Sequence, residues 1–190
     1  MTLETPLTRL ITADELYAMG DIGRCELIYG ELIMMSPAGP LHGVVAACIC
    51  SVLHQFVRAN DLGAIFAAET GFKIEDPDLV RAPDVSFVRK SRLASGLPAH
   101  GYFDGVPDLA VEVVSPTDRK RDVADKVNMW LAHGTASVWV ADPVSRSVAI
   151  HRAGKRALRF SGNDEIRDDL ILPGFAAAVS DFFKLPGRTT

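Results

Sequence analysis

Residues 109–114 read Leu-Ala-Val-Glu-Val-Val, and the glutamate inside that run constrains the fold more than any other residue. Its aliphatic neighbours describe a core strand, a setting that otherwise wants apolar side chains. Burying an unpaired carboxylate costs several kcal/mol or forces its neutralisation. Glu112 therefore needs a salt bridge, a raised pKa or a metal ion, and the rest of the fold must supply it.

Side chains alternate along a strand, so Asp108, Ala110, Glu112 and Val114 share one face. Asp108 lies about 13 Å from Glu112 at a rise of roughly 3.3 Å per residue, too far for both to bind one ion directly. Asp84 is the better partner, because it opens a second strand, Asp-Val-Ser-Phe-Val, directly after Ala82-Pro83. Adjacent strands lie about 4.8 Å apart, so Asp84 and Glu112 can converge on one divalent cation if these strands pair.

Downstream, Asp118, Asp122 and Lys126 follow one another at i, i+4 spacing. They lie at the edge of an apolar stripe of Val123, Val127, Trp130 and Leu131. From that edge a lysine can reach the sheet while its stem packs on apolar surface. The alternative is an ordinary surface Asp122–Lys126 pair, worth only a few tenths of a kcal/mol.

An acid opening one strand, an acid within the next and a lysine reaching back fit metal-assisted phosphodiester hydrolysis. Carboxylate oxygens suit Mg²⁺ or Mn²⁺, which prefer hard ligands. The ion would polarise the scissile phosphate and help generate hydroxide, while Lys126 would hold the attacking water or stabilise developing negative charge.

Local patterns frame these residues. Thr12 and Glu15 form a capping box for a short helix, and Tyr29-Gly30 near the middle of residues 25–35 predicts a hairpin. Val45, Ile49, Val52, Leu53 and Phe56 predict a helix over residues 42–60. Strands are expected at 64–67, 71–75, 84–88, 108–114, 137–141 and 148–151, with a helix over 118–133 and a long loop over 91–105. That loop is long enough to expect a functional or mobile role. Ser115-Pro116-Thr117-Asp118 is turn and capping chemistry, and the apolar tail is expected to close the core.

With 190 residues, 48% hydrophobic and 23% charged, the chain is expected to form one domain over residues 1–190. No apolar run reaches the roughly 18–20 residues that span a bilayer, and the start lacks the features of a secretory signal. A cytoplasmic protein without membrane partners is expected. Cys25, Cys48 and Cys50 lack zinc-ligand spacing and read as small buried hydrophobes.

The net charge of −4 argues against a protein that coats DNA by charge alone. It suits a nuclease that gathers acids at a metal and places basic groups around the rim. Three basic clusters are available, at residues 89–92, 119–121 and 152–159; each is either such a rim or a solvated face.

Taken in order, several blocks of this sequence resemble the Uma-two endonuclease family, catalogued as a domain of unknown function within the PD-(D/E)-x-K nuclease superfamily. They are Glu26-Leu-Ile-Tyr-Gly-Glu-Leu-Ile, Ser36-Pro with His42, Ala82-Pro-Asp-Val-Ser-Phe-Val, Val106-Pro-Asp-Leu-Ala-Val-Glu-Val-Val-Ser-Pro-Thr, Asp122 with Lys126, and Val138-Trp-Val-Ala-Asp-Pro. Together they cover roughly residues 10 to 150, and spaced blocks in the right order are more specific than any one motif.

The resemblance implies an α/β (α+β) restriction-endonuclease-like core, a mixed sheet flanked by helices, with an N-terminal helix and hairpin added. It implies that Asp84 and Glu112 are catalytic and hold the metal. Where the superfamily carries its lysine, two residues after Glu112, this chain has Val114, and Lys126 from the next helix is the replacement. Glu31 and His42 match family positions: they line the site, or Glu31 is an exposed hairpin residue and His42 simply begins a helix. Asp108 and Asp122 stand nearby as supporting residues, or Asp108 caps the turn after Pro107. Trp139 and Asp142 are expected to be structural.

The implied activity is a Mg²⁺- or Mn²⁺-dependent endonuclease on DNA, with RNA left open, working as a homodimer whose paired sites cut both strands. Two rivals stand beside it: a nuclease-derived binding or regulatory module without activity, and a hydrolase for another phosphate substrate.

Overall fold

The computed structural model describes residues 9–74 and 78–184. Helix α1 (Ala13–Ala18) starts on the expected capping box: the Thr12 hydroxyl accepts from Glu15 N at 3.2 Å, and the Glu15 carboxylate accepts from Thr12 N at 2.9 Å. Strands β1 (Cys25–Ile28) and β2 (Glu31–Met34) form the expected hairpin. Tyr29 (φ 50°) and Gly30 (φ 81°) are both left-handed, as its two-residue turn requires.

Helix α2 (Pro40–Ala59) leads to β3 (Gly63–Ala67), β4 (Phe72–Lys73), β5 (Val80–Arg81) and β6 (Val85–Arg89). Then come β7 (Phe103–Asp104), β8 (Leu109–Val113), α3 (Lys120–Ala132), β9 (Ser137–Asp142) and β10 (Ser147–His151). Short strands β11 (Leu158–Ser161), β12 (Glu165–Ile166) and β13 (Ala177–Ala178) complete the described chain, with 3₁₀ turns at Lys90–Leu93 and Val179–Phe183. Glu75, the end of the strand expected over 71–75, lies outside the described residues.

The central sheet has six strands in the order β11-β10-β9-β8-β6-β3. Its pairs are antiparallel except β8–β9, which are parallel and need a long crossover; α3 supplies it. A second sheet of order β2-β1-β5-β4-β7 stands against α1 and carries one parallel pair, β4–β7.

Strand alternation divides the core. Val85 and Phe87 of β6, Leu109, Val111 and Val113 of β8, and Trp139 of β9 pack with Val45, Ile49, Leu53 and Val57 of α2 and with Phe175, Phe182 and Phe183 of the tail. On the other face Val88, Ala110 and Val138 meet Val127 and Trp130 of α3, and Phe72, Ile74 and Leu79. Glu112 shares the parity of Ala110, so it points toward α3.

Four expectations change. Helix α2 is, by length and composition, apolar enough to cross a membrane, contrary to the reading of the sequence; in the fold its Val45, Ile49, Leu53 and Val57 are buried on the sheet. Helix α3 begins at Lys120, because the Asp118 carboxylate accepts from Ser115 N at 2.8 Å and closes the preceding turn instead of entering the helix. The three cysteines are free and half-buried rather than fully buried. The 91–105 loop is tied down at its end, where Phe103 and Asp104 pair with β4 as β7.

Candidate active site

Strands β6 and β8 pair with Val85 opposite Val111, and Asp84 N donates to Val111 O at 3.1 Å. One step further along this register sets Asp84 beside Glu112. Both are buried, with 6% and 7% of their surface exposed. Here the chain does what the sequence left conditional: the two acid-bearing strands are neighbours.

Each carboxylate is held in place. Asp84 Oδ2 accepts from Val113 N at 2.8 Å and meets His42 Nε2, from the first turn of α2, at 3.1 Å. Glu112 Oε1 accepts from Trp130 Nε1 at 2.8 Å, and its Oε2 accepts from Lys126 Nζ at 3.4 Å. Lys126 and Trp130 are one helical turn apart, so α3 grips both oxygens of one glutamate.

These groups open onto a cleft of about 910 Å³. Glu26, Asp84, Glu112, Asp118, Asp122 and Asp125 line it, opposed by three permanent cations, Arg24, Arg81 and Lys126. Glu26 is buried and paired with Arg81 at 3.1 Å. Arg119, Lys120 and Arg121 are exposed beside Asp118 and Asp122, which puts a basic cluster next to the acidic wall.

The electrostatics follow from burial. Loss of water pushes the Glu112 carboxyl above its ordinary range, Lys126 pulls it down, and Asp84 pushes it up again. Burial works to lower Lys126, but the attraction of Glu112 and Glu26 leaves it raised, hence a firm cation. His42 is raised chiefly by its hydrogen bond to Asp84, against the cost of burial. The cleft thus holds one carboxyl that resists ionisation beside a second acid, and a divalent cation between them would relieve that strain.

Among the described residues no group of three His, Cys, Asp or Glu side chains is placed to hold a metal. An ion here would take two carboxylates and fill its remaining positions with water, a donor set that Mg²⁺ accepts. The residues present fit such an ion.

Of the residues singled out from the sequence, Asp84, Glu112, Lys126 and His42 come together, and Asp122 lies on the cleft wall. Glu31 does not: it is exposed at the hairpin end of β2, opposite Ile28. Asp108 does not either. At the far end of β8 it accepts from Arg89 N at 3.0 Å, Arg89 Nε at 2.7 Å and Arg92 Nη1 at 3.2 Å, so its partners are structural. Sequence reasoning missed Arg24, Glu26 and Arg81. The available signal was Glu26 itself, a second acid inside a strand, Cys-Glu-Leu-Ile.

Comparison with known proteins gives the family and the fold. The sequence profile of the Uma2 family, described as "Putative restriction endonuclease", matches residues 13–180. Among solved structures, one described as a "putative nuclease belonging to DUF820" from Anabaena variabilis superposes with a TM-score of 0.78 at 23% identity, covering 91% of this chain and 97% of that one. The shared fold is restriction-endonuclease-like. No curated protein matches the chain.

Proposed function

The chain belongs to the Uma2 nuclease family, and from that premise we propose that it is a Mg²⁺- or Mn²⁺-dependent endonuclease hydrolysing phosphodiester bonds of DNA as a homodimer. The observation that carries this reading is the convergence of Asp84 and Glu112 from paired strands, with Lys126 bonded to Glu112, inside one large cleft.

Asp84 and Glu112 would hold the ion, each kept in orientation by a hydrogen bond from a rigid element: Val113 N for Asp84 and Trp130 Nε1 for Glu112. When bound, Mg²⁺ or Mn²⁺ supplies Lewis-acid polarisation of the phosphate and a lowered pKa for water. Lys126, a cation within reach of the same carboxylate, would stabilise negative charge gathering on the phosphate oxygens or orient the attacking water. His42 acts through Asp84 and is a positioning residue.

The acid excess also bears on the binding-module alternative. A module that held nucleic acid without a metal would set six acids against a polyanion, and Coulomb repulsion inside a cleft is poorly screened. The same acids become useful once a divalent cation sits among them.

The test is supercoiled plasmid with Mg²⁺ or Mn²⁺, alongside EDTA controls and the folded variants Asp84→Ala and Glu112→Ala. Metal-dependent nicking that both variants lose supports the reading. An intact plasmid with no metal-induced change in melting favours the inactive module. An intact plasmid with clear metal binding points to RNA or another phosphate ester.

A further inference from the structure

Arg24 differs from the other arginines that meet buried carboxylates. Arg81, Arg89, Arg92 and Arg152 hold theirs at 3.1, 2.7, 3.2 and 2.8 Å. Arg24 has two acidic neighbours, Asp84 at 3.8 Å and Glu69 at 4.0 Å, both beyond hydrogen-bond reach. Among the described residues no hydrogen bond is made by its guanidinium, although only 26% of the side chain is exposed.

Its backbone is fixed. Met35 N donates to Arg24 O at 2.8 Å, which locks the residue to the base of the hairpin. The side chain lies in the wall shared by the catalytic cleft and a neighbouring cavity of about 280 Å³. Glu69, on the far side, is 70% exposed and adopts φ 71°, a conformation uncommon for a residue with a side chain.

A planar fork of donors, held between two carboxylates too distant to bond it, matches the bidentate demand of a phosphate. Resting on the nuclease reading, we propose that Arg24 binds a backbone phosphate beside the scissile bond, and that Glu69 competes with that phosphate for the guanidinium. Glu69 is solvated, so its release costs little. Asp84 stays as the inner neighbour, and Arg24 screens the incoming phosphate from it. Arg24 is thus a positioning residue for the substrate, and Glu69 weakens the grip of the empty site. If Arg24 instead served only to screen Asp84, its loss would change kcat and leave the affinity for DNA intact.

The experiment measures binding of a fluorescein-labelled DNA duplex by anisotropy, in EDTA and in Ca²⁺, over a range of salt, together with plasmid cleavage in Mg²⁺. Arg24→Ala is expected to weaken binding about tenfold and to lower the slope of log affinity against log salt by about one. Arg24→Lys keeps charge without the fork and loses about threefold. Glu69→Gln tightens binding about threefold, and the gain disappears in the Arg24→Ala/Glu69→Gln double variant, as coupled sites require. In cleavage, Arg24→Ala raises KM with little change in kcat.

If Arg24→Ala fails to fold, Arg24→Lys and the exposed Glu69→Gln decide the matter. Wild type that binds and cuts, with all variants binding alike, overturns the proposal and leaves the nuclease reading standing. Wild type that neither binds nor cuts overturns both.

Discussion

Lys126→Met keeps the stem on α3 and removes the charge that faces Glu112. In the wild type Lys126 Nζ lies 3.4 Å from Glu112 Oε2, with 28% of the lysine side chain and 9% of the glutamate side chain exposed. After the change, the carboxylate keeps Trp130 as its donor and loses its cation. Breaking a fully buried pair from one side costs about 3–5 kcal/mol, and the partial exposure of Lys126 moves the expectation to about 2–3 kcal/mol. For a chain of this size that lowers Tm by about 4–12 °C. The pH dependence is also determined. Burial already raises the Glu112 carboxyl, and loss of Lys126 raises it further. A raised carboxyl contributes stability that is fully present below its unfolded value, about 4.3, and is lost as pH rises through the folded value. The penalty therefore shrinks in acid and is complete only above the folded value.

Removing the second charge should reverse the effect. In Glu112→Gln/Lys126→Met the amide oxygen still accepts from Trp130, and the pair no longer carries a buried charge. The double variant is expected to match or exceed the wild type by about 1–3 kcal/mol at neutral pH, with catalysis gone. Circular-dichroism melts in EDTA from about pH 4 to about pH 8 test both claims. A Lys126→Met protein that melts with the wild type at neutral pH, or loses the same stability at every pH, refutes the buried-pair account. Lys126 would then be a surface residue.

Four other outcomes are expected. Mg²⁺ at about ten times its Kd should stabilise the wild type by about 1.4 kcal/mol, seen as a shift in melting that Asp84→Asn abolishes. His42 should titrate above the usual histidine value of 6.5 in NMR and fall back in Asp84→Asn; its share of stability is present below about pH 6.5 and lost as pH rises through the folded value. Asp168 is fully buried and accepts from Ser137 Oγ at 2.6 Å, Trp139 Nε1 at 3.0 Å and Arg152 Nη2 at 2.8 Å, so Asp168→Asn should cost about 2–4 kcal/mol in urea denaturation; a loss under about 1 kcal/mol contradicts this. Asp108→Ala should lower Tm by releasing Arg89 and Arg92 while plasmid nicking per folded molecule stays unchanged; loss of nicking would return Asp108 to the site.

What could be read from the sequence was what local geometry dictates. The hairpin follows from Tyr29-Gly30, the buried face of α2 from its spacing, and the shared face of Ala110 and Glu112 from the strand period. Whether Asp84 met Glu112 depended on strand order, which alternation cannot supply. The choice between the hairpin acids shows the same limit. Glu26 and Glu31 look alike in sequence, but β1 is covered by β5 through Leu27 and Val80 whereas β2 is the sheet's outer edge. That pairing also delivers Arg81 to Glu26 across a wide sequence separation. Asp168 gave no local signal, because its burial depends on how the tail returns beneath the sheet.

On the proposed nuclease reading the lysine of the site comes from a helix, and that placement has a physical consequence. A lysine two residues after Glu112 would be oriented by the pleat of β8 alone. Lys126 is oriented by α3, whose seating is set by Trp130, fully buried and edge-on to Phe72. The same Trp130 bonds Glu112, so the docking of α3 positions the lysine and the carboxylate together. Asp84 is treated alike from the opposite side, by Val113 N of the strand and His42 of α2. The two helices cover opposite faces of the central sheet, and their side chains meet the two acids where β6 begins and β8 ends. That intersection is where each of two buried acids is met by a side chain from a different helix, and it is where the cleft opens.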